Sequence, residues 1–237
     1  YDTVPIKSSR DTTIYSDVGA IILGEIVEKI SGLSLDVFAD SMIFKPLGMG
    51  TTFFNPPSIK NRRIVPTELR PDGIIVHGYV HDENAYSLGG IAGHAGLFST
   101  AKDLAVFSQM MLNDGLYGWK RIFKTETVSE FTNKANVVDS SSRLLGWDSP
   151  GGYASGGIYL SDNSFGHTGF TGTSMWIDPD QGIIVILLTN AVHPNRKNKS
   201  PKYYDWRQRI HSAVYESLTV AIAMPVSIKL FTAILTV

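Results

Sequence analysis

The residues of this chain best suited to chemistry lie in one run, Phe165-Gly166-His167-Thr168-Gly169-Phe170-Thr171-Gly172-Thr173-Ser174. It sets an imidazole, hydroxyls and three glycines where an edge strand is expected to begin, leading into Met175-Trp176-Ile177. Glycine lets a backbone approach a ligand closely, and strand N–H groups beside it can stabilise a developing oxyanion. The run therefore reads as one wall of an acyl-transfer site. A second triplet, Tyr15-Ser16-Asp17, precedes an apolar periodic segment, so a loop there would project the tyrosine into a cleft. Ser99-Thr100-Ala101-Lys102 puts a lysine three residues after a serine. Thr100 to Asp103 also reads as a helix capping box with aspartate in place of glutamate, which explains the spacing without catalysis. His77 and His81, beside Asp82 and Glu83 and with His94 further on, have the spacing of a metal pair on a helix. Gly78 and the valine-rich flanks favour a loop or strand there, so no metal is assigned. His-Glu-x-x-His, phosphate-loop, dinucleotide and Gly-x-Ser-x-Gly patterns are all lacking, the last arguing against an α/β-hydrolase.

Those side chains need elements to hold them. Val18, Ile21, Ile22, Ile26, Val27 and Ile30 recur at helical spacing, with Ser16 or Asp17 as N-cap and Ser31-Gly32 as stop. Leu35, Phe38, Ala39, Met42 and Ile43 predict a second helix ending near Pro46-Leu47-Gly48. The polar, proline-bearing stretch 55–70 reads as a surface excursion. A helix after Thr100 should bury Leu104, Phe107, Met110 and Met111, and Thr125 to Phe131 should form a short one. Leu144 to Trp147 and Gly156 to Leu160 read as strands. Ser174 to Ile177 and Ile183 to Leu188 then make an antiparallel hairpin about a turn at 178–182. Tyr203 to Leu218 reads as an amphipathic helix with Trp206, Ile210, Val214 and Leu218 on its apolar face. Trp147, Trp176 and Tyr153 are candidates for lining the cleft, although packing explains the tryptophans as well. Helices first and a meander last give an α+β organisation. The divisions are a mainly helical region 1–143, a sheet and C-terminal helix 144–218, and an apolar tail 219–237.

With 237 residues, 43% hydrophobic and 18% charged, the chain has the make-up of an ordinary globular protein. A formal net charge of -1 and the lack of any strongly basic block exclude nucleic acid as an expected partner. With no cysteine there are no disulfides, thiol nucleophiles or cysteine metal sites. The run 218–237 is of borderline length for a membrane span. Pro225, Lys229 and its polar residues favour a packed or irregular tail, and the membrane question stays open.

Taken singly, Tyr15 reads as a packed aromatic and His167 as a satisfied strand-end residue. In order and with matching flanks, Tyr15-Ser16-Asp17 and His167-Thr168-Gly169 resemble the second and third motifs of the serine beta-lactamase, penicillin-binding-protein and esterase superfamily, in its class C-like branch. That family uses Ser-x-x-Lys, then Tyr-x-Asn, then Lys-Thr-Gly or His-x-Gly. Phe44-Lys45-Pro46-Leu47-Gly48-Met49 and the stretches 15–32, 93–104 and 165–190 add to the likeness, which covers most of 11–218. His81-Asp82-Glu83-Asn84-Ala85 followed by Gly93-His94-Ala95-Gly96 looks like the subgroup sometimes fused to bacterial family 3 glycosidases.

The resemblance implies a beta-lactamase/transpeptidase-like α+β fold, incomplete here: a helical region followed by antiparallel strands and a C-terminal helix. It implies that Tyr15 is the phenol that helps move the nucleophile's proton, its pKa lowered by the family's neighbouring lysine. His167 stands where lysine contacts the substrate's carboxylate or leaving group, and its charge near pH 7 depends on its surroundings. Thr168 would offer a hydroxyl, Gly169 close approach, and Phe170 a backbone N–H to an oxyanion. Asp17 replaces the usual asparagine on the substrate side, losing an amide donor and gaining a possible negative charge. The family's Ser-x-x-Lys should lie upstream of Tyr15, and none of the fourteen preceding residues forms it. The expectation is the C-terminal part of a larger serine hydrolase, inactive alone, with no cofactor. Its partners would be a small-molecule or peptide substrate, the missing N-terminal segment of the same fold and, in some relatives, a glycosidase domain. A periplasmic or secreted location is implied by the resemblance. The alternative is a non-catalytic module that binds cell-wall peptides or a partner domain.

Overall fold

Asp17 and Lys29 sit at opposite ends of helix α1 (Asp17–Ser31), an acid in the first turn and a base in the last, which is the favourable sense with respect to the helix dipole. The computed structural model that shows this describes residues 13–57, 64–134, 141–151, 155–199 and 201–222. Ser16 is the extended N-cap residue, and Gly32, at φ 70°, ends the helix by returning its N–H to the Glu28 carbonyl. Glu28 Oε1 also accepts from the Leu35 N–H at 2.7 Å, linking α1 to helix α2 (Leu35–Ala39). A wider π turn, Asp40–Phe44, follows before the short α3 (Lys45–Leu47). Pro46 has no N–H with which to continue the regular ladder, which is the local reason for the interruption.

Strand β1 (Phe53–Phe54), helix α4 (Glu83–Ser87) and strand β2 (Leu97–Phe98) follow, with β1 and β2 antiparallel. Between α4 and β2, Gly93 lies against α1 so closely that a Cβ there would collide with the Ala20 carbonyl oxygen. Helix α5 (Ala101–Leu112) buries Met110 and Met111 as expected, while Leu104 and Phe107 are only half-buried. Its capping box is made on one side. Thr100 Oγ1 accepts from the Asp103 N–H at 3.4 Å. The Asp103 carboxylate instead accepts from Thr51 N–H, Thr51 Oγ1 and Thr52 Oγ1 at 2.8, 2.8 and 2.9 Å. The hairpin of β3 (Leu116–Tyr117) and β4 (Lys120–Arg121) leads to the expected helix α6 (Thr125–Thr132).

Strands β5 (Phe165–Thr168), β6 (Ser174–Asp178) and β7 (Ile183–Leu187) form an antiparallel sheet in the order β5-β6-β7. The β6–β7 hairpin is as read from the sequence. Two other strand expectations fail. Leu144 to Trp147 is a tight turn, closed by Leu144 N–H to the Trp147 carbonyl at 2.8 Å, with Gly146 at φ 82° doubling the chain back. Gly156 to Leu160 forms no strand because side chains take up its backbone groups. Ile158 N–H donates to Ser212 Oγ at 3.2 Å, and Gln181 Nε2 donates to the Tyr159 carbonyl at 3.1 Å.

The main core joins Ala39, Phe44, Leu47 and Met49 to Met110, Met111 and Val128, and these to Leu144, Phe165 and Ile177 of the sheet side. Helix α7 (Pro201–Ile222) closes the sheet with a face shifted by one residue from the expected one, Ile210, Val214 and Leu218 being half-buried. Trp206 is 44% exposed, whereas Arg207, His211 and Tyr215, spaced four apart, are buried. The sheet offers them polar partners: Ser174 Oγ to His211 Nε2 at 2.9 Å and Tyr215 Oη to Asp178 Oδ2 at 3.0 Å. Of the stretch 55–70, residues 58–63 lie outside the described ones, and the part after them is more than a surface excursion, since Glu68 is buried in an ion-pair cluster. Among the described residues no helix is long and apolar enough to cross a membrane. Tyr153 and the tail beyond residue 222 lie outside the described residues.

Candidate active site

Tyr15 lies just ahead of α1 and His167 near the end of β5, and the fold brings their rings to a centroid separation of 6.0 Å. A third residue, unmarked in the sequence reading, joins them. Arg143 has its guanidinium carbon 4.6 Å from the Tyr15 ring centroid. Its Nη1 lies 3.3 Å from His167 Nε2 and 2.9 Å from Asp148 Oδ1. Asp148 is fixed to β5 in turn, its backbone exchanging hydrogen bonds of 2.8 and 3.0 Å with Gly166. Helix α1, the 143–148 turn and β5 thus converge on one cluster.

His167-Thr168 closes a strand rather than opening one. Gly169 begins the turn into β6, its N–H bonded to the Thr173 carbonyl at 2.8 Å. His167 Nδ1 bonds the Thr168 carbonyl at 2.9 Å. Asp17 is exposed on the first turn of α1. Withdrawal from water raises the Tyr15 phenol above its ordinary pKa, the charge of Asp17 adds to the rise, and Arg143 opposes it. With Tyr15 61% exposed, water screens all of these charges. Arg143 supplies a lowering of the kind expected from the family's lysine, but the net shift is upward. Burial lifts the Asp148 carboxyl, again against the pull of Arg143.

Phe170 belongs to a neighbouring cluster. It is 58% exposed, and its ring stacks on His81 at 5.7 Å with Lys199 Nζ 4.6 Å from its centroid. Lys199 Nζ also donates to the Phe170 carbonyl at 2.6 Å. His81 is held by Glu68 at 3.0 Å, and Arg196 bridges Glu68 and Glu83 at 2.7 and 2.6 Å. Although burial resists it, the hydrogen bonds from Arg196 and His81 hold the Glu68 carboxyl below its usual range. His94 pairs with Asp82 at 2.8 Å, and Asp82 also caps α4. His77 Nε2 bonds the Ile64 carbonyl at 2.8 Å, so each histidine considered as a metal ligand has another partner, and among the described residues no group of three or more histidines and carboxylates could hold a metal. Ser99 Oγ bonds Thr52 Oγ1 at 2.7 Å, and Lys102 is exposed on the first turn of α5, as the capping reading requires. Trp176 is core, bonding Ser155 Oγ at 3.0 Å, and Trp147 packs edge-on against Phe165 at 5.3 Å.

Arg143 and Asp148 carry no local signal in the sequence. Only the Arg-Leu-Leu-Gly-Trp-Asp turn ahead of β5 places them, and that segment reads as a strand by its apolar residues.

The sequence model of the family described as Beta-lactamase matches residues 1–209. A Salmonella gallinarum protein named "Putative D-alanyl-D-alanine carboxypeptidase" is 40% identical over 202 residues, 78% of this chain and 46% of that protein. One of the same name from Salmonella typhi is 40% identical over 198 residues, 76% of this chain and 45% of that protein. The chain thus spans about half the length of the curated relatives it matches. Among solved structures, a beta-lactamase of Mycobacterium bovis superposes with a TM-score of 0.56 at 20% identity, covering 87% of this chain and 64% of that one. The simvastatin synthase of Aspergillus terreus gives 0.58 at 19% identity, covering 82% and 53%. At such identities the likeness concerns the fold alone.

Proposed function

This chain belongs to the beta-lactamase family, and from that premise we propose that it is the C-terminal part of a serine hydrolase that works through an acyl-enzyme. An upstream segment of the same fold supplies the serine, which attacks the substrate carbonyl, expels the amine or alcohol with the serine's proton to leave an acyl ester, and is freed when water takes the acyl group as a carboxylic acid. Tyr15 helps move the nucleophile's proton, and His167, Thr168, Gly169 and the Phe170 N–H form the opposite wall. Asp17 faces the substrate. The observation that carries this reading is the meeting of Tyr15 and His167, 6.0 Å apart although distant in sequence. The names of the Salmonella relatives favour a D-alanyl peptide as substrate, ahead of small esters and beta-lactams. A substrate of that kind goes with a periplasmic or secreted location.

The outer face of α1 supports the missing segment. Val18, Ile22, Ile26 and Ile30, four apart, are all exposed, Ile30 at 82%. Ile22, Ile26 and Ile30 line a shallow groove with Glu25 and Lys29. An uncovered apolar row of this length on one helix calls for a packing partner, and the upstream segment is the occupant we assign. A second reading, a non-catalytic binding module, is favoured by Asp17, whose charge adds to the desolvation that raises the Tyr15 phenol and so disfavours the phenolate.

Tyr15→Phe in the longer protein separates the two. It should lower the acylation rate by about 100-fold or more with folding intact, the range for removal of a general acid–base group. Acylation at the unaltered rate would refute the role given to Tyr15.

A further inference from the structure

The hydrogen bonds around His167 determine where its proton resides. Nδ1 lies 2.9 Å from the Thr168 carbonyl oxygen, which can only accept, so Nδ1 carries the hydrogen. Nε2 lies 3.3 Å from Arg143 Nη1, and a guanidinium can only donate, so Nε2 offers its lone pair. Both bonds are satisfied by one species, the neutral ring in its Nδ1–H form. Arg143 is held in this place from its other side by Asp148 at 2.9 Å, and Asp148 is fixed to β5 through Gly166. The same guanidinium lies over the Tyr15 ring at 4.6 Å.

We propose that the positive charge of this site is fixed on Arg143, a positioning residue, and that His167 stands beside it as a neutral acceptor. This rests on reading Tyr15 and His167 as site residues. The consequence is a division of labour. Arginine keeps its charge at every pH at which the protein is folded, so the charge next to the Tyr15 phenol does not switch across pH 6 to 8, as an imidazolium would. Asp148 orients the guanidinium so that one nitrogen serves both the carboxylate and the imidazole, while its face covers the phenol. The Tyr15 loop and strand β5 are thereby coupled through a single side chain.

Two nuclei test this on the chain itself, without substrate. In ¹⁵N spectra at pH 7, His167 Nδ1 should resonate as an N–H nitrogen and Nε2 as an unprotonated one. An Nε2–H tautomer or an imidazolium there would overturn the proposal, and this arm requires no variant. The second nucleus is the Tyr15 ring carbon bearing oxygen. In Arg143→Met its phenolate fraction at a fixed alkaline pH should fall about fourfold, the factor expected for losing one partly screened charge at this range. Arg143→Lys should restore most of it. A Tyr15 titration unmoved by Arg143→Met would overturn the charge role. Neither readout involves acylation, so a failure of the hydrolase reading would leave these results standing, and the reverse.

Discussion

Helix α7 turns a polar row inward, whereas helix α1 leaves an apolar row outside. On α7, Arg207, His211 and Tyr215 are buried against Thr173, Ser174 and Asp178, while Trp206 faces water. On α1 only Ile21 and Gly24 are buried, and Val18, Ile22, Ile26 and Ile30 stay exposed. Which face of a helix is covered follows from what its neighbours present. A sheet face rich in hydroxyl, carbonyl and carboxyl groups can receive a polar row because Arg207, His211 Nε2 and Tyr215 each find a partner there, although His211 Nδ1 is buried without one. An apolar row needs apolar area opposite it, and among the described residues α1 is buried on its Ile21 and Gly24 side. Among the described residues the α7 face is closed against the sheet and the α1 row is left open, and the upstream segment is the cover proposed for it.

Disrupting the closed side should have the largest effect. Asp178 is fully buried and accepts from Ser161 N–H and Oγ, from Gln181 N–H and Nε2, and from Tyr215 Oη. Asp178→Ala leaves these donors without their acceptor and should cost about 4 kcal/mol in urea unfolding. A loss under 1 kcal/mol would mean that the network carries no stability. Next comes acid. Burial first, and then the charge of Arg207, press the His211 pKa down to about 4. The unfolded ring, with its ordinary value near 6.5, binds a proton that the folded ring refuses. Stability is therefore fully present above pH 6.5 and is lost as pH falls toward 4, by about 2 kcal/mol at pH 5. His211→Asn should remove that part of the pH dependence, and an unchanged acid profile would contradict the assignment. The open side should respond least in this chain. Ile26→Gln should change its stability by less than about 0.5 kcal/mol. In a longer protein with the upstream segment it should cost about 2 kcal/mol, as a buried site would. Equal small effects in both would show that nothing covers α1.

The same contrast explains what could be read from the residues alone. Helix α1, the hairpin of β6 and β7, and helices α5 and α6 are fixed by local periodicity and caps, and the sequence predicts them within a residue or two. Trp206, Ile210, Val214 and Leu218 predict a face of α7 one residue off the buried one, with Trp206 exposed and the other three half-buried, because periodicity records where apolar residues lie, not which side a sheet will meet. The Asp103 carboxylate leaves its capping box for Thr51 and Thr52, partners about fifty residues away. Tyr15 and His167 were legible through a two-motif resemblance, and the structure brings them together. Arg143 and Asp148 were not, because a turn mistaken for a strand gives an arginine no reason to point at a tyrosine. Leu144 and Trp147 supplied the misleading pattern, and Gly146 the missed one.

The place of the attacking serine decides whether this chain is part of an enzyme. Fluorophosphonate or labelled penicillin, followed by mass mapping of the adduct, measures that directly. This chain should remain unlabelled under conditions in which a longer protein bearing an upstream Ser-x-x-Lys is labelled at that serine. Stoichiometric labelling of this chain by itself, at Ser99, would contradict the account.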